Sequence, residues 1–268
     1  MFFSILFFCL LLGCEDVIEV EVPIDQPRLV VDGLIRVDGI QSATTDVRIV
    51  ASITSSFFDN ISPAQLDAIS ILNTQTNFEV PLMEQADGSG IYGDVLPTEF
   101  ITSAPLILKI TYGGELYEAT TSFVRSAPID NLVQGTSTLF TNDETEIIIS
   151  YTDAPDRVDF YLFDFDYNEY LVSEDTFYPG QSFQFSYFYE PGLEPDTELK
   201  VGILGIDEPF YNYMTQLIVQ AGGDQGPFQT PAATVKGNII NTANPDNFAL
   251  GYFAVSEIFY STLIIEEQ

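Results

Sequence analysis

Apolar and polar side chains alternate with a period of two along most of the chain, which predicts strands. Arg28–Arg36 is the first such run. Asp46–Thr54 is the second, with Val47, Ile49, Ala51 and Ile53 on one face and Arg48 and Ser52 on the other. Ala68–Leu72, Phe78–Met83, Ile91–Val95, Pro105–Tyr112 and Leu116–Val124 follow. Asn73, Asp87-Gly88, Gly90 and Gly113-Gly114 stand between them and supply turns. Ser62-Pro63-Ala64-Gln65 has the outline of a capping box and predicts a short helical turn. This many short strands in roughly 100 residues suit an immunoglobulin-like β-sandwich, without the cysteine pair and core tryptophan of antibody domains.

Ser126-Ala127-Pro128 marks a boundary, because proline stops a completed strand from continuing. Beyond it come Glu146–Tyr151, Val158–Tyr167, Tyr170–Val172, Ser182–Tyr189 and Leu199–Ile206, with Val235–Ile240 and Ala249–Ile265 as closing strands. One amphipathic helix is expected near 208–221. Asp207 caps it, Glu208 and Pro209 open it, and Phe210, Tyr213, Met214, Leu217, Ile218 and Ala221 recur at helical spacing up to Gly222-Gly223. The expected fold class is therefore mainly β: a sandwich over 27–127, then a second β-rich sandwich domain over 128–268 with one inserted helix.

The amino terminus has a different pattern. Phe2–Leu12 is an uninterrupted apolar run, too short for a spanning helix, which needs about 20 residues. It suits the core of a cleavable export signal over 1–13. Leu11-Leu12-Gly13-Cys14 resembles a bacterial lipobox, in which a small residue admits the peptidase and the thiol accepts the lipid. Cys14 is therefore the expected lipidation site, and 14–26 an acidic tether. Cys9 and Cys14 are the two cysteines, so processing would leave no thiol for a disulfide or a metal. Lasting attachment needs more than one acyl chain, a condition that a fully acylated Cys14 meets.

Charge narrows the partners. The 268 residues hold 40 acids against 8 bases, a net −32, which repels phosphate backbones and argues against nucleic-acid binding. After residue 127 only Arg157, Lys200 and Lys236 are basic, so the second half is the more acidic. Such a charge keeps a surface protein soluble and is compatible with bound divalent cations. The sequence has no histidine, which removes imidazole bases and histidine metal sites, and no glycine-rich phosphate loop. No catalytic residue is expected.

Two runs carry candidate chemistry. Asp164-x-Asp166-x-Asn168, with Asp175 at the twelfth position, echoes the start of a calcium loop, yet Glu169 stands where such a loop needs glycine. The same run also reads as the polar face of a half-exposed strand, with Tyr161, Phe163, Phe165 and Tyr167 on the other side. Phe183, Phe185, Tyr187 and Tyr189 alternate in the same way, so the two stretches could pair as an aromatic hairpin, either filling a core or presenting a patch to a partner.

Several of these pieces also share an order with a known family. Pro227-Phe228, Pro231, Lys236-Gly237-Asn238-Ile239 and Leu250-Gly251-Tyr252-Phe253 resemble its carboxyl end. Leu29-Val30-Val31-Asp32-Gly33, Gly90-Ile91-Tyr92, the lipobox and the Tyr/Phe-rich helix agree. The family is an uncharacterised one of Bacteroidota surface lipoproteins, catalogued as a domain of unknown function. Its members are typically encoded beside TonB-dependent outer-membrane transporters. The resemblance implies a non-catalytic, outward-facing outer-membrane lipoprotein that assists such a transporter, its partners being the transporter and, through Cys14, the lipid bilayer. Two other readings remain open: a surface glycan binder or carboxylate-based glycoside hydrolase, with 14 tyrosines in place of the missing tryptophan platform, and an adhesive module.

Overall fold

The computed structural model describes residues 26–55, 61–139, 143–175, 180–221 and 233–267. Cys14, the expected signal segment, most of the acidic tether and Pro227-Phe228 and Pro231 lie outside the described residues.

Alternating burial builds most of the strands. In chain order these are β1 (Leu29–Asp38), β2 (Thr44–Ile53), β3 (Ser62–Pro63), β4 (Ala68–Asn73), β5 (Phe78–Pro81), β6 (Met83–Glu84), β7 (Ile91–Pro97), β8 (Leu106–Tyr112), β9 (Glu115–Thr121) and β10 (Phe123–Val124). A short helix, α1 (Thr98–Thr102), follows β7. The chain continues with β11 (Ile129–Gln134), β12 (Thr145–Thr152), β13 (Phe160–Asp164), β14 (Tyr170–Glu174), β15 (Ser182–Tyr189) and β16 (Glu198–Ile206). Helix α2 (Glu208–Gln220), β17 (Ile240–Asn241) and β18 (Leu250–Ile264) complete it. The protein is mainly β, and its sheets pack as sandwiches.

The largest sheet has the order β14-β13-β16-β18-β1-β2-β7-β6, with β10 also on β18 and β3 on β2. A five-stranded sheet, β17-β9-β8-β4-β5, covers its first half. Leu29, Val31, Ile35, Val47, Ile49 and Phe253 meet Ile69, Ile71, Leu108 and Tyr117 there, and this is the first core. A three-stranded sheet, β11-β12-β15, covers the second half. Its Ile147, Ile149 and Tyr151 meet Tyr161, Phe163, Leu199, Val201 and Ile203. On the outer side of the same strands lies α2, whose Phe210 and Met214 pack on Leu162, Leu204, Tyr252 and Ile258. Asp207 caps that helix by accepting from the Phe210 N–H at 2.8 Å.

Strand β18 joins the two halves. Residues 250–258 run parallel to β1, from Val30↔Leu250 to Asp38↔Ile258. Residues 258–264 run antiparallel to β16, from Leu204↔Ile258 to Glu198↔Ile264. Phe253 and Val255 therefore fill the first core, whereas Leu263 packs on the second. Between them Glu257, 6% exposed, accepts the Ser126 N–H at 2.9 Å. The Ser126 hydroxyl donates to the Ile203 carbonyl, and Arg157 donates to the Ser126 carbonyl at 3.2 Å. The expected division at 127/128 falls at this crossing, and the largest sheet runs across it.

Close backbone approach explains the glycines that the sequence places here. A Cβ on Gly237 would lie 1.5 Å from the Gly251 carbonyl oxygen, and one on Gly205 would lie 1.9 Å from that of Arg125. The segment leading into β18 is held by polar contacts as well. Glu115 accepts from the Asn241 and Asn247 side-chain amides at 2.8 and 2.6 Å. Those donors, Asn247 first, hold its carboxyl below the usual range. Phe248 lies between the Arg28 guanidinium at 3.8 Å and the Lys236 ammonium at 3.6 Å.

Several expected elements change. Ser62-Pro63 is extended and pairs with β2 instead of starting a helical turn. The expected Leu116–Val124 strand divides, with β9 in the five-stranded sheet and β10 on β18. Of Val235–Ile240, only Ile240 enters a strand. The aromatic runs do not form a hairpin. Strand β13 pairs with β14 and β16 while β15 pairs with β12, so the rings meet across the second core from opposite sheets. Phe163 and Phe185 stand 5.1 Å apart edge to face, and Phe165 and Tyr187 stack at 3.9 Å.

Gly205→Ala forces a methyl group into the Arg125 carbonyl and is expected to cost about 3 kcal/mol. Val95→Ala, on an exposed edge position, is expected to stay within about 0.5 kcal/mol. Urea denaturation of both variants beside the parent measures the difference.

Candidate functional site

Where the second sandwich closes at one end, three strand ends bring three carboxylates together. Asp153 follows β12, Asp159 precedes β13 and Asp175 follows β14. The β13–β14 pairing, Phe160↔Glu174, sets Asp159 opposite Asp175. There the Asp175 N–H donates to the Asp159 carbonyl at 3.1 Å, and the Asp159 N–H donates to Asp175 Oδ1 at 2.7 Å. Asp153 reaches the same point from the facing sheet, its own N–H donating to the Gln181 carbonyl at 3.0 Å. One oxygen from each residue lies within 4.8 Å of the other two.

The surroundings are mostly dry. Asp153, Asp159 and Asp175 are 3, 6 and 2% exposed. Tyr161, fully buried, projects its hydroxyl between the sheets onto Asp153 Oδ1 and to 3.0 Å from Asp159 Oδ2. The Arg157 Nε donates to Asp159 Oδ2 at 2.6 Å, and the Gly180 N–H to Asp153 Oδ2 at 2.9 Å. Asp175 Oδ2 is buried and, among the described residues, receives no donor, while its carboxyl lies against that of Asp153. Such an oxygen is costly when ionised, because it has lost water and gained no donor.

These contacts separate the carboxyl groups. Burial, and then the carboxyl of Asp153, push Asp175 up to about 6. Burial raises Asp153 too, but the donors from Tyr161 and Gly180 outweigh it and hold that carboxyl below its ordinary value. Burial and the Asp153 contact raise the Tyr161 phenol well above its usual range. The group offers hard oxygen donors with an excess of negative charge, so it suits a proton or a hard cation. It is too enclosed to flank a sugar chain.

The expected calcium run is arranged otherwise. Asp164 ends β13, where Oδ1 accepts the Asp166 N–H at 3.2 Å and Oδ2 meets Arg36 at 3.4 Å. Asp166, Tyr167 and Asn168 take φ of 65, 48 and 64° in the turn to β14. The Glu169 N–H closes that turn on the Asp166 carbonyl at 2.8 Å. Asp164, Asp166 and Asn168 thus form a tight hairpin tip, whereas Asp175 sits at the hairpin's base, roughly 15 Å away along the strands. No loop gathers the four. Asp153 and Asp159 were not candidates in the sequence; the available signal was an acid at the end of each aromatic strand, beside Arg157.

A second feature lies at the other end of this half. An open cavity of about 410 Å³ is lined by Gln134, Asp143, Thr145, Pro191, Glu194 and Glu266 among others. Its acids disfavour anionic ligands.

The sequence matches the family model described as "Domain of unknown function (DUF4249)" over residues 15–260. The chain belongs to this family. The DUF4249 match takes in both sandwiches and all three clustered aspartates, and it begins one residue after Cys14. No curated protein matches the chain.

Asp175→Asn tests the electrostatics. The folded state keeps the Asp175 proton up to about pH 6, whereas an unfolded Asp loses it near 4. Folded protein therefore binds the extra proton in that interval, and this group's contribution to stability falls as pH rises from about 4 to about 6. Asparagine stays neutral throughout. In chelator at pH 7.5 the variant is expected to be more stable than the parent by about 2 kcal/mol, and the gap to close toward pH 4. Urea melts at a series of pH values measure it.

Proposed function

We propose that this DUF4249 protein is a lipid-anchored surface protein that assists an outer-membrane transporter, capturing its substrate or shaping its outer mouth, without catalysing a reaction. The observation that carries the anchoring is the apolar run Phe2–Leu12 ending in Gly13-Cys14. The family match, which starts at residue 15, supports the same partition between a leader and a body. An acidic surface favours a solvated exterior location over contact with anionic lipid. Among the described residues no helix is long and apolar enough to cross a membrane. On this reading Cys14 is the membrane attachment.

The order of motifs, which resembles that of surface lipoproteins accompanying TonB-dependent barrels, supports the transporter partnership. A sandwich presents loops and sheet faces to a partner and needs no chemistry of its own. The close carboxylate group is buried, so it favours neither glycan binding nor hydrolysis.

Capture of the tagged full chain from native outer membrane, in a mild detergent, tests the proposal. Intact-mass analysis is expected to show an acylated amino terminus at Cys14, with a β-barrel transporter co-purifying. Cys14→Ser is expected to abolish both. An unmodified amino terminus on the parent overturns the anchoring, and an anchored protein that retrieves no barrel overturns the partnership. Hydrolysis or binding on a glycan panel would then favour the enzyme or glycan-binder reading.

A further inference from the structure

We propose that Asp153, Asp159 and Asp175 form a structural calcium site that clamps the base of the β13–β14 hairpin to the end of β12. The inference is independent of the membrane anchoring and of the transporter. Three carboxylates from three separate strand ends offer oxygens within 4.8 Å of one another, and all three residues are buried. Three negative charges so close, facing one guanidinium from Arg157, leave two of them uncompensated.

The second observation is the orphaned oxygen. Asp175 is 2% exposed, its Oδ1 is occupied by the Asp159 N–H, and its Oδ2, beside the Asp153 carboxyl, accepts from no donor among the described residues. The other two carboxylates are oriented by their own donors: Gly180 and Tyr161 for Asp153, and Arg157 and Tyr161 for Asp159. Oriented carboxylates with one oxygen lacking a donor are an arrangement that a cation would complete. A divalent ion would neutralise the two excess charges.

The donor set decides which ion. Every side-chain donor is a carboxylate oxygen, and the sequence has no histidine and no cysteine beyond residue 14. Oxygen-only sites suit hard cations, and calcium tolerates the irregular geometry that strand ends impose better than magnesium does. Bound there, calcium would hold the facing sheets together at this end of the second sandwich. Protons compete for the same carboxylate oxygens, so binding is expected to weaken in acid.

Tyrosine-sensitised terbium luminescence tests the site in the full chain, purified in detergent and stripped with EGTA. The sequence has no tryptophan, and the Tyr161 hydroxyl lies on two of the carboxylates, so excitation of tyrosine should reach a bound lanthanide. A saturable one-to-one signal is expected, displaced by calcium with a dissociation constant below about 1 mM. Calcium at a hundredfold excess over that constant should raise the thermal midpoint by roughly 5 °C or more. Asp175→Asn, which keeps the hydrogen bond to Asp159, should weaken calcium binding at least tenfold. Tyr161→Phe should reduce the luminescence by more than it reduces affinity. If Asp175→Asn does not fold, Asp153→Asn serves in its place. The absence of a stoichiometric signal that calcium displaces overturns the proposal. So does an unchanged response in the aspartate variant, because the ions would then sit on other surface acids.

Discussion

A strand has two edges along which its backbone can pair, and β18 uses one for each sandwich in succession. Its first nine positions lie along β1 and its last seven along β16, with Ile258 common to both. Residues 252–258 are all buried, as a central strand covered on both faces requires. Neither half can complete its sheet without this strand. The carboxyl-terminal segment therefore returns to the amino-terminal strand, and the Gly237–Gly251 approach and the Glu115–asparagine contacts bring it there at the correct height.

The clustered aspartates depend on the same arrangement. Strand β16 fixes β13, and β13 fixes the register of β14, so Asp159 and Asp175 face each other. The three-stranded sheet then brings Asp153 down on them, pressed there by the aromatic rings of Tyr151, Phe163, Phe183 and Phe185. Arg157 contributes on both sides, donating to Asp159 and to the Ser126 carbonyl at the crossing between the halves. The junction and the acidic cluster thus share a residue, and a change in one is felt at the other.

Much of this fold could be read from alternation alone. The class, most strand positions, the cap at Asp207 and the helix through Gln220 all follow from local periodicity. What could not be read is long-range. The period-two pattern says which face of β18 is buried but not that Phe253 and Leu263, on the same face, enter different cores; Glu257 between them looks like a simple polar interruption. Strand β11 has a register shift between Ile129 and Asn131, which breaks the alternation that would have marked it. Helix α1 is five residues without a side-chain cap, too short to leave a pattern. The calcium-like run misled because carboxylates two residues apart also suit a hairpin tip. The acids that do converge are separated in sequence and meet only when two sheets pack.

Strand β18 is expected to make the two sandwiches a single cooperative unit, and native-state hydrogen exchange across a urea series measures whether it does. Amides of β1, β16 and both ends of β18 are expected to merge into one opening with a common free energy and a common denaturant dependence. Loss of protection in 258–264 with β16, while 250–257 and β1 stay closed, would contradict it.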